Sequence, residues 1–286
     1  MSGTALALVL VAAVLHATWN LAAKGVTEDR VTFIWLYITT TVVCWVPVAV
    51  VWVVVAGDRP RWVWLLGAAV TGILHVGYQL VLQRGYAEGD LNLVYPLARG
   101  SGPLLTFVVA VTVLGQHPGA VAAAGVAAVV VGVVLIALRP GHDGVRAGVV
   151  WGLLTGATIA SYTLWDNYSV NHLAVPPVPY FVLGTVLQLP WLAALLATRP
   201  AMAPIRDVWR QTRVPALVVG LLSPLAYILV LRALQLAPVS LVAPARETSI
   251  VIGAAFGWLV LREPRPARRL VGAVVVLAGI GLIAVG

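Results

Sequence analysis

The sequence predicts an all-α polytopic membrane protein with ten transmembrane helices, arranged as two inverted five-helix repeats. Of its 286 residues, 61% are hydrophobic and 10% are charged, whereas about a quarter of the residues in soluble domains are charged. Ten apolar segments are long enough to cross a bilayer, for which a helix needs about 20 residues. A motif of the first half also returns in the second half, which indicates a duplicated unit.

The predicted spans are separated by charged residues, proline and glycine, which punctuate helices. Their connections are short, so no soluble domain is expected. The first span lacks the positively charged start of a secretory signal, and the duplication needs it as a helix. The spans cover residues 3–23, 31–56, 62–84, 91–114, 117–138, 146–168, 177–197, 213–235, 239–261 and 267–285.

The duplication is clearest in two segments, LNLVYPLARGSG at 91–102 and VSLVAPARETSI at 239–250, which lie 148 residues apart. In this register Arg99 falls on Glu247. One copy therefore carries a cation where the other carries an anion, within otherwise apolar sequence.

A linker rich in proline, glycine and charge, Arg139–Arg146, divides the chain into a first unit at 1–140 and a second at 146–286. Because five is an odd number of crossings, the second copy must enter the membrane from the opposite side. Inverted repeats are typical of transporters, with a binding site near the middle of the membrane between the two copies.

The composition also limits the partners and the chemistry. The net charge of +8 is accounted for by loops that touch an anionic leaflet, so no nucleic-acid partner is predicted. Cys44 is the only cysteine, which leaves no disulfide framework and no CxxC metal site. No Walker A or HExxH motif is present, so neither ATP hydrolysis nor another enzymatic activity is expected, and no cofactor is predicted.

Arg99 and Tyr95 are the first candidates for substrate binding. Arg99 lies about 10 Å into the membrane if the fourth span begins at Asn92, and charges at such depth face a cavity or a partner. Tyr95 is one turn earlier on the same face, and a guanidinium with a phenol can bind a carboxylate or a phosphate. Glu247 is a further site candidate, because a buried carboxylate that can release Arg99 is a candidate proton or substrate switch. The alternative is that Arg99 only ties Glu247 across the repeats, as a static ion pair. Arg246 lies about 100° round the helix from Glu247, so one of them is expected to face helix packing.

Polar stripes with i, i+4 and i+8 spacing add further candidates. They comprise His16, Asn20 and Lys24 in the first span and His75, Gln79 and Gln83 in the third. His16 is the stronger functional candidate because Trp19 and Asn20 flank it at central depth, and Gln79 is placed at the same cavity. For any one histidine, an interhelical hydrogen bond is the alternative role. Lys24 and Gln83 are expected at the membrane surface.

Aromatic residues complete the predicted cavity wall. Tyr78, Tyr162 and Tyr227 lie in the third, sixth and eighth spans and are predicted to line it. Trp165, next to Asp166, is expected instead in the aromatic belt at the membrane surface.

Glycine recurs at a spacing of seven residues in the fifth and tenth spans, as Gly125 with Gly132 and Gly272 with Gly279. Small residues at helical spacing let membrane helices approach closely. These glycines therefore predict helix packing and not ligand binding.

Several motifs together resemble the EamA family of the drug/metabolite transporter superfamily. They are HATWN in the first span, YPLARG in the fourth, APARE with GAAFGWLVLREP in the ninth, and the closing helix from Gly272 to Gly279. The resemblance covers the whole chain and implies a ten-helix secondary carrier with a central cavity lined by helices 1, 3, 4, 6, 8 and 9. Related small multidrug exporters carry a proton-binding glutamate in helix 1, which has no acidic residue here, so proton coupling by that route is not expected.

The function expected from these features is secondary transport, in the export direction, of a small polar metabolite such as an amino acid or another carboxylate-bearing solute. The alternatives are a flippase for lipid-linked substrates with the same fold and, less favoured, an intramembrane enzyme. The expected location is a bacterial inner or plasma membrane, because the basic residues are almost all arginine in a chain rich in alanine, valine and glycine. Proton coupling by another route and a monomer or homodimer are left open.

Two arguments disagree on orientation. The positive-inside rule puts both termini outside, because the loops after odd-numbered spans hold most of the basic residues. The family resemblance implies that both termini are inside. The basic residues of those loops are Lys24, Arg30, Arg84, Arg139, Arg146, Arg199, Arg206, Arg210, Arg213, Arg262, Arg265, Arg268 and Arg269.

Overall fold

A computed structural model describes residues 1–24, 26, 29–89, 91–137, 145–198, 204–259 and 267–286. Over this part of the chain the secondary structure is helical. The helices are α1 (Gly3–Lys24), α2 (Arg30–Ala56), α3 (Trp62–Glu88), α4 (Leu91–Thr112), α5 (Ala120–Ala137), α6 (Val145–Asn171), α7 (Pro177–Ala197), α8 (Ile205–Leu234), α9 (Val239–Ala245), α10 (Thr248–Leu259) and α11 (Ala267–Val285).

The helices supply ten membrane crossings, as predicted. Seven segments of the described chain are long and apolar enough to span a bilayer, and one of them, Val239–Phe256, combines α9 with most of α10. Three shorter apolar helices, Leu97–Thr112, Ala120–Ile136 and Leu270–Val285, make up the rest. Apolar side chains on the outer face of α2, such as Val54 at 73% exposure, would contact lipid.

The ninth crossing differs from the prediction of one helix over 239–261, because it is interrupted at Arg246 and Glu247. Pro244 has no backbone N–H and cannot continue the helical ladder. After it the chain tightens: the Glu247 N–H donates to the Pro244 carbonyl over 3.0 Å, and the Ile250 N–H donates to the Glu247 carbonyl over 2.9 Å. These i to i−3 bonds form a tight turn between two helices, and the turn contains both charged residues.

Helix packing relates the two halves. Helices α1, α2 and α3 of the first half correspond to α6, α7 and α8 of the second. The contact of α3 with α6 therefore has its equivalent in the contact of α8 with α1, and the contact of α2 with α8 has its equivalent in that of α7 with α3. α5 packs directly against its counterpart α11, and α4 against its counterpart α9. Each of these contacts therefore has an equivalent when the halves are exchanged. The domain boundaries at 1–140 and 146–286 remain a prediction.

The glycines of α5 and α11 lie where the two helices approach each other most closely. A Cβ atom added to Gly125 would be 2.6 Å from the Gly279 carbonyl oxygen, and one added to Gly132 would be 2.7 Å from the Gly272 carbonyl oxygen. Real Cβ atoms do not come so near to backbone oxygen. The prediction that these glycines serve helix packing is confirmed.

One end of the bundle is tied together by its connections and is called the closed end here. It is the end at which α2 joins α3, α6 joins α7, and α8 joins α9. Arg61 Nη2 donates to the Leu173 carbonyl over 2.9 Å, and Asn171 Nδ2 donates to the Leu234 carbonyl over 3.0 Å. At the same end the Ser240 N–H donates to the side chain of Gln116 over 3.2 Å.

Candidate functional site

A cavity of about 340 Å³ lies in the middle of the bundle. Nine of the ten predicted site residues line it, from five different helices. They are His16, Trp19, Asn20, Tyr78, Gln79, Tyr95, Arg99, Tyr162 and Tyr227. The predicted wall of six helices is incomplete, because α2 and α7 also contribute lining residues, including Tyr37 and Gln188.

Arg99 is held by three side chains. Its Nη1 lies 3.5 Å from Glu247 Oε1, its Nη2 lies 3.2 Å from His16 Nε2, and its Nε lies 3.5 Å from the Tyr95 hydroxyl. A guanidinium can only donate hydrogen bonds. His16 Nε2 must therefore accept in this contact, which requires a neutral imidazole.

Glu247 is the one predicted site residue that does not line the cavity. Its side chain is 1% exposed, and its Oε2 has no hydrogen-bond partner in the described part of the chain. It lies behind Arg99, where it offsets the charge of the guanidinium.

Arg246 lines the cavity, whereas its neighbour Glu247 does not. Successive helical residues differ by about 100° in direction, so the turn that buries Glu247 exposes Arg246 to the cavity. Its guanidinium forms no ion pair or hydrogen bond with the residues that the structure describes. Sequence reasoning left open which of the two charged residues faces packing, because the local turn was not predicted.

The aromatic wall is a connected set of rings. His75 stacks on Tyr162 with ring centroids 4.3 Å apart, and Tyr78 meets Tyr162 edge-on at 5.7 Å. Tyr227 meets His75 edge-on at 5.6 Å. Separately, His16 and Trp19 pack edge-on at 4.7 Å. Lys24 and Gln83 are exposed near helix ends, as expected for the membrane surface.

Asp166 is a buried carboxylate that sequence reasoning missed. It is 1% exposed, and its Oδ1 accepts hydrogen bonds from Thr71 Oγ1 over 2.7 Å and from the Tyr180 hydroxyl over 2.6 Å. Its Oδ2 accepts from the Tyr227 hydroxyl. The Nε1 of Trp165, the residue before Asp166, donates to the Gly67 carbonyl between helices over 3.0 Å, and its place in the aromatic belt stays a prediction. An acidic residue within an apolar span was the signal that could have identified Asp166.

The cavity is accessible from the end opposite the closed end. Among the described lining residues, Asn20 is exposed and Tyr95 is 39% exposed, and both lie toward the end at which α1 finishes and α4 begins. Toward the closed end, Tyr180 is 1% exposed and Val230 is 5% exposed. We call the accessible side the open end.

Ten crossings around a central polar cavity, with one crossing broken at charged residues, define a polytopic membrane protein of the transporter class. Residues 146–285 match the model of the EamA-like transporter family. The resemblance seen in the sequence is confirmed there. Members of this family are membrane transporters and not enzymes.

The fold is shared over the full length. Of 29 matching chains in solved structures, one described as "Crystal structure of protein" has a TM-score of 0.74 and 15% sequence identity, and the match covers 100% of this chain and 98% of that chain. At this identity the likeness shows the fold alone. No curated protein matches the chain.

Proposed function

We propose that the chain is a secondary carrier that exports a small solute bearing a carboxylate, such as an amino acid, by alternating access around the central cavity. The observation that supports this best is Arg246, a cavity-lining guanidinium without a protein partner among the described residues. A guanidinium binds a carboxylate in a planar, two-pronged geometry. Arg246 is therefore the proposed anchor for the substrate anion.

The charges around the cavity favour an anionic group on the substrate. Arg99 is already offset by Glu247 at 3.5 Å, whereas the charge of Arg246 is not offset by contact. An uncompensated charge away from water is costly, and a substrate carboxylate removes that cost. Arg99 supports the same anion from the facing helix α4, as the sequence predicted for it together with Tyr95.

The size and the wall of the cavity suit a small zwitterion. Its volume of about 340 Å³ is at the lower end of the range of ligand pockets, about 300–1,000 Å³. The rings of Tyr78, Tyr162 and Tyr227 offer faces to an ammonium group, and Asn20 and Gln79 offer amide groups. A substrate with a carboxylate at one end and an ammonium at the other would find partners for both.

The broken ninth crossing supports transport over static binding. Discontinuous helices at the centre of a repeat are typical of carriers, because their inner ends and turns bind the substrate. A location in the bacterial plasma membrane belongs to this proposal, and the oligomeric state remains a prediction.

Equilibrium binding to the purified full-length protein tests the proposal. A panel of free L-amino acids is compared with the C-terminal amides of the same amino acids, which lack only the carboxylate charge. We expect one or more acids to raise the thermal unfolding temperature and the matching amides not to do so. Arg246→Gln should remove the difference between acid and amide, whereas Arg210→Gln, which removes an exposed arginine of α8, should preserve it. Equal binding of acids and amides to the unmodified protein would refute a carboxylate anchor.

A further inference from the structure

We propose that Asp166 is a proton-responsive latch that holds the closed end of the cavity shut, a role that rests on the alternating access proposed above. Asp166 belongs to α6, and its three hydroxyl donors belong to three other helices: Thr71 to α3, Tyr180 to α7 and Tyr227 to α8. One carboxylate therefore joins four helices. It links the first half of the chain, through α3, to three helices of the second half.

The latch lies between the cavity and the closed end. Thr71, Tyr180 and Tyr227 line the cavity, and Asp166 is buried directly behind them. Tyr180 is in the first turn of α7 and Thr71 is in the first half of α3, and both of those helices begin at the closed end. For the cavity to open at this end, the helices that meet here must separate, which breaks hydrogen bonds to the carboxylate.

The charge of the carboxylate gives the latch its strength. Hydrogen bonds to an ionised acceptor are roughly twice as strong as those between neutral groups. Among the described residues no basic side chain contacts Asp166, in contrast to Glu247 with its partner Arg99. A proton from the cavity water can therefore bind a carboxyl oxygen of Asp166 without breaking an ion pair. The bonds that remain are neutral, so the four helices are held less tightly.

Each of the helices α3, α7 and α8, which pack around Asp166, brings a titratable side chain close to it. Tyr180 faces it from α7 and Tyr227 from α8, and both are donors in the latch. His75 of α3 is one step further away, with its Nδ1 3.1 Å from Thr71 Oγ1. Arg246 lines the same cavity without contacting the carboxylate. His75 is therefore the neighbour whose contribution to any response to pH must be separated from that of Asp166.

Among the described residues, the corresponding positions toward the open end form no equivalent latch. Extending the 148-residue offset of the duplicated motifs along the chain pairs Asp166, Thr71, Tyr180 and Tyr227 with Thr18, Val219, Thr32 and Gln79. None of them is a carboxylate. The Thr18 hydroxyl donates to the Val14 carbonyl of its own helix over 2.8 Å, and the Thr32 hydroxyl donates to Asp29 over 3.0 Å. This difference between the ends agrees with a conformation that is shut at one end and accessible at the other.

A symmetric pair of reporter cysteines can test the latch. Leu82 and Val230 correspond in the two halves and both line the cavity. Leu82 is half-buried toward the open end, and Val230 is 5% exposed toward the closed end. Each is changed to cysteine in a Cys44→Ser background. The labelling rate with a maleimide is then measured on the purified full-length protein in detergent, without substrate, relative to the denatured protein at the same pH.

In the Asp166→Asn variant we expect the Val230→Cys reporter to be labelled about tenfold faster, since about 1.4 kcal/mol lost from the charged hydrogen bonds corresponds to that factor. The Leu82→Cys reporter should be labelled more slowly, because opening one end closes the other. With Asp166 intact, lowering the pH should shift both rates in these same directions. Asp166→Asn should abolish this response, and His75→Gln should leave it in place.

Thr18→Val, which removes the hydroxyl at the corresponding position of the first half, is the matched control and should change neither rate. If Asp166→Asn does not fold, Thr71→Val and Tyr227→Phe each remove one donor and should give smaller shifts in the same directions. Unchanged rates, faster labelling at both reporters, or a pH response that is lost with His75 would each overturn the proposal. Because no substrate is present, these outcomes are independent of whether Arg246 binds a carboxylate.

Discussion

Arg99 of α4 and Glu247, at the break between α9 and α10, form an ion pair with Nη1 and Oε1 3.5 Å apart. The two residues are 148 positions apart, which is the offset of the sequence duplication. Equivalent positions of the two halves thus meet at the centre of the bundle, with opposite charges. The pair fixes the guanidinium next to the cavity while the carboxylate stays buried.

Removing either partner of this pair should impair folding or transport. Arg99→Ala leaves Glu247 as a buried charge without compensation, and Glu247→Ala does the same for Arg99, each at a cost of about 3–5 kcal/mol where the pair is fully buried. The measurement is the yield and unfolding temperature of each variant in detergent, followed by transport in proteoliposomes. If neither single variant loses anything, the contact is unimportant in the working protein.

The exchanged variant, Arg99→Glu with Glu247→Arg, distinguishes a structural role of the ion pair from a role of Arg99 in substrate binding. It restores a pair of opposite charges, so expression and unfolding temperature should recover. Transport should not recover, because the cation then projects from the other half, away from Tyr95. Recovery of transport as well would show that the pair is a symmetric brace, and Arg99 would then have no role in binding.

His16 should make transport sensitive to acid. Its Nε2 accepts from Arg99 at 3.2 Å, and a protonated imidazole cannot accept, so acidification should repel Arg99 and slow transport. His16→Gln keeps an amide acceptor without the charge and should flatten the acid side of the pH–rate curve. His117→Gln, which changes an exposed histidine, is the control. Curves for His16→Gln and the unmodified protein that superimpose would make His16 a packing residue.

The contact between α5 and α11 should be intolerant of a single methyl group. A Cβ at position 132 would lie 2.7 Å from a backbone oxygen of α11, so Gly132→Ala should lower stability by about 1–3 kcal/mol, the usual cost of overpacking. Gly281 has no atom within 4 Å of its Cβ position, and Gly281→Ala should be neutral or stabilising because alanine favours helix. Thermal unfolding in detergent compares the two. Equal unfolding temperatures would contradict the close contact.

Orientation in the membrane can be decided by reporters fused to either terminus. The positive-inside rule predicts that both termini are outside, and the open end would then face the cytoplasm, since the termini lie at the closed end. A reporter active only outside the cytoplasm should then work at both termini. Activity of reporters that work only in the cytoplasm would reverse the assignment and place both termini inside, as the family resemblance implies. The open end would then face outward.

For residues one helical turn apart, the sequence predicted that both members of a pair face the cavity. The spacing of His16 and Asn20, or of Tyr95 and Arg99, places each pair on one helix face, and all four residues line the cavity. Helical spacing did not predict that Arg246 faces the cavity or that Asp166 is buried beside it. The orientation of Arg246 depends on a tight turn after Pro244, and the burial of Asp166 depends on hydroxyls from three helices distant in the sequence.

The sequence by itself determined the class of the protein and its helical crossings, because the cost of placing polar backbone in lipid leaves few structures for ten apolar segments. It also placed Arg99 and Glu247 at equivalent positions of the two halves, which made an ion pair between them one of the two roles considered for Arg99. Only the tertiary structure decided which charge faces the cavity and which end is shut. Those outcomes depend on how α3, α6, α7 and α8 pack around one carboxylate, and side-chain contacts between distant helices leave no periodic signal in the chain.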